Sequence, residues 1–187
     1  MKPLIAFVML VSSFSSIASA HHISVYADQL GIQCHLTNPV APPGLNSFYI
    51  IHKFNAGSTA SQFRVSDTTG LFFVQFVTPF LVLGTWDADL SLAYGGCLVG
   101  DVALGTLMFL WFGTPVPTGC ANTLEIVPAP TSPLPGQIAL VDCATPSGNL
   151  LPASGGRAYF SATECGFECQ KVAVEATTWG GIKALYR

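Results

Sequence analysis

The sequence predicts an all-β domain, a two-sheet antiparallel sandwich with a short C-terminal helical tail. Three observations predict it. Apolar and polar residues alternate with the period of strands from residue 23 to about residue 162. Gly-, Pro- and Asn-bearing turn signals fall between these runs, and no long helical period interrupts them. Six cysteines, an even number, follow what reads as an export leader, the pattern of a disulfide-stapled extracellular domain.

The leader comes first. Lys2 supplies a positive start, residues 3–11 (PLIAFVMLV) are apolar, and Ala18-Ser19-Ala20 makes a small-residue peptidase site. The competing reading is an anchoring helix, but the apolar run is about half the ~20 residues a bilayer span needs. No cysteine near the site supports a lipid anchor. The sequence therefore divides into a signal peptide (1–20), a β-sandwich domain (21–163) and a C-terminal CxxxC segment with an amphipathic tail (164–187). The expected location is secreted, periplasmic or cell-envelope, with His21 as the first residue after cleavage.

The strands follow in order. Ile23, Val25 and Ala27 alternate with Ser24, Tyr26 and Asp28, the pattern of a half-buried strand. Phe48, Ile50, His52 and Phe54 fall on one face of the next run, and Phe63 and Val65 alternate in another. Residues 71–77 (LFFVQFV) are nearly all apolar, which predicts a strand covered on both faces. Leu90, Leu92 and Tyr94 alternate, and residues 102–112 (VALGTLMFLWF) read as a central core strand, too short for a membrane helix. Further strands are expected at Leu124–Ile126, at Ile138–Val141 and at residues 157–161. Turns are expected at Pro42-Pro43-Gly44, Asn55-Ala56-Gly57, Thr68-Thr69-Gly70, Gly95-Gly96 and Pro146-Ser147-Gly148. Pro128, Pro130, Pro133 and Pro135 stiffen a crossover between sheets. Thr178 can cap a closing helix with Trp179, Ile182, Leu185 and Tyr186 near one face.

Charge excludes one class of partner. Only 9% of the chain is charged, against ~25% in ordinary soluble domains. Removing Lys2 leaves six basic residues against ten acidic, a net charge of −4 with His neutral. With no basic stripe, nucleic acid is not a partner. A surface this poor in charge leaves room for apolar contact with another extracellular protein or a glycan. The cysteines are Cys34, Cys97, Cys120, Cys143, Cys165 and Cys169. Fifteen pairings are open to them; the one we expect joins Cys97 to Cys120, Cys34 to Cys143, and Cys165 to Cys169. Zinc is disfavoured because no C-x-x-C occurs and no His lies near the later cysteines.

The run of strand, turn and apolar segment over residues 23–144 resembles the β-sandwich modules of secreted bacterial proteins, cohesin-like and immunoglobulin-like in broad pattern. The parts that carry the resemblance are residues 47–54, Ala60-Ser61-Gln62-Phe63, Tyr94-Gly95-Gly96-Cys97 and residues 105–109. The resemblance implies a sandwich of jelly-roll or immunoglobulin-like type. Cohesins bind a calcium-loaded partner module through one sheet face, and no residue here is assigned to such a face by analogy. The tail at residues 177–187 (TTWGGIKALYR) is similar to tails that close other secreted bacterial proteins.

Candidate chemistry is sparse. There is no G-x-S-x-G, no H-E-x-x-H and no Gly-rich phosphate loop, so a non-enzymatic binding or structural module without a cofactor is the first expectation. An alternative is a copper oxidoreductase. Cleavage after Ala20 would give His21 a free α-amine beside its imidazole, and His35 or His52 would supply a third nitrogen for a histidine brace. Against it, His21 and His22 read equally as polar residues after a peptidase site. Asp87 and Asp89, with Asp67 or Asp101, offer too few oxygens for calcium. Trp86, with Trp111 and Tyr94, would be the platform of a carbohydrate-binding module. The tail residues Trp179, Ile182, Leu185 and Tyr186 would anchor either to their own domain or to a partner.

Overall fold

The computed structural model describes residues 21–145, 148–163 and 165. Among them every regular element is a strand: β1 (His22–Tyr26), β2 (His35–Leu36), β3 (Gly44–Asp67), β4 (Phe72–Val77), β5 (Leu81–Leu83), β6 (Leu90–Trp111), β7 (Thr123–Val127), β8 (Ile138–Asp142), β9 (Leu150–Gly155) and β10 (Arg157–Phe160). The all-β expectation holds for these residues. The leader, its cleavage site, Cys169 and the tail helix lie outside the described residues.

Two long strands form the spine. β3 and β6 run antiparallel from the Gly44–Trp111 pair to the Phe63–Leu90 pair, with shifts of register along the way. β4 and β5 pair with β6. β3 also pairs β1 through residues 49–53, β8 through residues 58–62 and β7 through residues 64–67. β8 continues to β9, and β9 reaches β1 by a short parallel pairing, so β1, β9, β8 and β3 close a circuit. β7 leads to β10 and β2.

The long spine corrects the reading of two turns. Asn55-Ala56-Gly57 and Gly95-Gly96 do not reverse the chain; they lie inside β3 and β6 at irregularities of the ladder. Glycines and asparagine there supply the bulges that let long strands bend, rather than the hairpins that would end them. Asn55 Oδ1 accepts from the Gly57 N–H at 2.9 Å, and its Nδ2 donates to the Leu98 carbonyl, tying bulge to neighbour. The proline-rich stretch does connect β7 to β8, whose partners differ apart from β3.

The main core lies between these strands: Ile23, Val25, Phe48, Ile50, Phe63, Leu90, Leu107, Phe109, Leu124, Ile126 and Leu140 are all buried in one cluster. Phe109 meets Phe48, Phe73 and Trp86 edge to face at centroid distances of 5.9, 5.6 and 5.7 Å, geometries that add to area burial. The strand at residues 102–111 is core, as expected. β1 is not half-buried but buried throughout. Its second face carries Tyr26 into a smaller cluster with Cys34, Ile51, Tyr159 and Cys165. The reverse holds for β4, expected to be covered on both faces: Phe72, Val74 and Val77 are exposed, because β4 pairs β6 alone among the described strands and only Phe73 and Phe76 point inward.

The disulfides differ from the expected pairing. Cys97 joins Cys143 and Cys120 joins Cys165. Cys34 is also disulfide-bonded. The first bridge links β6 to the end of β8 across β3, the strand that separates them. The expected Cys97–Cys120 pair fails because β3 carries β6 and β8 on its two sides near Ser58, which brings Cys97 to Cys143 instead. Gly57 sits under the bridge with φ 139°; a Cβ there would stand 3.2 Å from Cys143 Sγ.

Candidate functional site

Two features stand out from the packed fold. The first is a trough on the outer sheet surface. Register places Leu81, Ala93, Ala60, Val141 and Leu150 in one row across β5, β6, β3, β8 and β9. Leu83, Ser91, Gln62 and Ala139 form the next row. Ala60 and Ala93 in the middle of the first row leave an apolar depression of about 250 Å³, lined also by Leu83, Leu150 and Pro133. Leu81 is 67% exposed and Leu83 65%. At its edge Gln62 is engaged: Gln62 Nε2 donates to Asp89 Oδ1 at 2.7 Å and to Thr131 Oγ1 at 3.0 Å, and Thr131 donates to the same carboxylate. The trough is lined mainly by apolar side chains.

The second feature is a pair of histidines at one end of the core. His52 lies on β3 opposite Ile23 of β1 and Val102 of β6, on the same inward face as Phe48 and Ile50. His21 immediately precedes β1. Ser154 of β9 holds it, donating its backbone N–H to the His21 carbonyl at 3.1 Å and sharing a 2.8 Å hydrogen bond with His22 Nδ1. The rings meet with His21 Nδ1 3.1 Å from His52 Nε2. Exposure is 5% at His21 and nil at His52, and His52 Nδ1 has no hydrogen-bond partner. Burial pushes the His52 imidazole down to about 3, aided by the charges of His21 and His22, and burial lowers His21 as well. Both rings are neutral near neutral pH.

His35 does not join them. It lies on β2, stacked on Tyr159, with its Nε2 accepting from the Cys165 N–H at 3.0 Å. The acidic candidates are engaged separately: Asp89 with Gln62 and Thr131, Asp67 with Thr69, and Asp101 with Lys53. Among the described residues no three His, Cys, Asp or Glu side chains gather as a metal-binding group. The aromatic platform is also dispersed. Trp86 stacks on Phe73 at 4.6 Å, Tyr94 is buried against Phe80, and Trp111 faces Phe160. Trp179, Ile182, Leu185 and Tyr186 lie outside the described residues. The trough was missed in the sequence because alanine carries no signal until register aligns Ala60 with Ala93.

No protein-family model matches the chain, and no curated protein does. A solved structure of a CaDoc0917–CaCohA2 complex at pH 5.5 is similar at 12% identity with a TM-score of 0.45, covering 75% of this chain and 99% of that one. No helix among the described residues is long and apolar enough to cross a membrane.

Proposed function

We propose that this is a secreted, non-enzymatic binding or structural module of the cell envelope or extracellular space. Its partner is another extracellular protein that presents apolar side chains to the trough. The observation that supports the reading is the five-strand row from Leu81 to Leu150 with alanines at its centre. An exposed apolar depression on a chain with few charges is a candidate contact surface. The mainly apolar lining favours a protein surface over a sugar, whose hydroxyls need partners.

The experiment is a retention assay with the extracellular proteins of the natural source, followed by purification of the retained protein. That protein must bind the isolated chain directly, and Ala93→Glu, which fills the trough without touching the core, must weaken binding at least about tenfold. Equal binding by the variant would remove the trough as the interface. Glycan binding abolished by Trp86→Ala would instead favour the carbohydrate-binding alternative. Removal of residues 177–187 with loss of thermal stability would show that the tail docks on its own domain; unchanged stability with lost surface retention would give the tail to a partner.

A further inference from the structure

We propose that His21 and His52 form a copper(II) site with the α-amine that leader cleavage after Ala20 would create. The proposal rests on the leader reading and is independent of the trough. Its geometric basis is the approach of two imidazole nitrogens, Nδ1 of His21 and Nε2 of His52, to 3.1 Å. Two such nitrogens meet at that distance only by sharing a proton, and a cation can take the proton's place. His52 has no exposed surface, and its other nitrogen has no hydrogen-bond partner. A buried imidazole that spends one nitrogen on another imidazole and leaves the second unpaired gains little as a structural hydrogen-bonding group.

The third ligand comes from the same residue as the first. Cleavage turns the His21 backbone nitrogen into a primary amine, which closes a small chelate ring with Nδ1 through Cα, Cβ and Cγ. Ser154 holds the His21 carbonyl and His22, fixing this end of the chain at the start of β1. β3 fixes His52 across from Ile23. Three neutral nitrogens without thiolate or carboxylate place copper(II) at the top of the divalent series for the site. His35, held against Cys165, takes no part.

The test begins with export of the full chain and intact-mass measurement of its N-terminus. Copper(II) is then titrated and followed by electron paramagnetic resonance. The expected result is one copper per chain, with nitrogen splittings from three ligands. Extension by Ser-Gly-Ser-Gly before His21 should lower affinity at least about 100-fold, because losing a ligand outweighs the roughly 10–100-fold effect of losing an outer-shell partner. A one-residue extension is avoided because it would put His22 third and build a different amine–amide–imidazole chelate. His52→Ala should cause a similar loss, and His35→Ala none. Circular dichroism and melting temperature check each fold, and the extended chain keeps the test decisive if His52→Ala does not fold. A mature start other than His21, absence of stoichiometric copper, or equal affinity in the extended chain would overturn the proposal.

Discussion

Lys53 on β3 reaches Asp101 on β6, Nζ to Oδ2 at 2.8 Å, and the two ends of this ion pair live in different surroundings. The lysine side chain is 9% exposed and the aspartate 54%. Lys53 also donates to the Leu30 carbonyl and lies over the Tyr26 ring. Asp101 accepts from the Phe54 N–H with its other oxygen. Hydrogen bonds from Lys53 and Phe54 hold the Asp101 carboxyl below its usual range, against the opposing effect of burial.

The asymmetry predicts which half matters more. Asp101→Ala leaves a buried ammonium with only a carbonyl and a ring, and should cost about 2 kcal/mol. Lys53→Met leaves a carboxylate that water can solvate, and should cost about 1 kcal/mol or less. Urea unfolding of both variants measures the order. A larger loss from Lys53→Met would reject this account of the pair.

Gly57 permits a second prediction. Its φ of 139° belongs to glycine, and an added Cβ would press on Cys143 Sγ. Gly57→Ala should therefore destabilise the oxidised protein by about 1–3 kcal/mol. It should also slow formation of the Cys97–Cys143 bridge on reoxidation. Thermal melts and thiol trapping read the two effects. A stability equal to the parent would mean that the bulge relaxes freely.

The buried histidines set a pH dependence. His52 has its folded value near 3 against 6.5 in an unfolded chain, so below about pH 6.5 the unfolded state takes up a proton that the folded state refuses. Stability is full above 6.5 and falls as pH drops toward 3, by up to about 1.4 kcal/mol per pH unit from this group. The lowered His21 value has the same sign. Carboxylates titrate lower, so unfolding of metal-free protein between pH 7.5 and 5 isolates the histidines. His52→Gln should flatten that slope, and an unchanged slope would rule the group out.

Much of the strand content was legible because period-2 alternation survives wherever one face is buried, as at Leu90, Leu92 and Tyr94. Residues 102–111 were readable as a core strand for a different reason, a nearly unbroken apolar run with β-favouring aromatics, too short for a membrane helix. Edges and bulges were not. Pro152 and the small residues around it hide β9, and β2 and β5 are too short to show a period. The glycines at 57, 95 and 96 carry the same letters whether they bend a strand or reverse it; only partner strands decide. The histidine pair was half legible: the amine-bearing candidate and His52 were both visible, but choosing His52 over His35 required knowing that β1 lies beside residues 49–53.

The circuit of β1, β9, β8 and β3 has a consequence for how the chain is made. Emerging amino end first, β1 can zip onto β3 early, yet its other flank stays open until residues 150–155 appear. Until then His22 and Ile23 lack the strand that pairs with them on that side, an open edge of the kind other strands can add to. Ser154 and Gly155 close it.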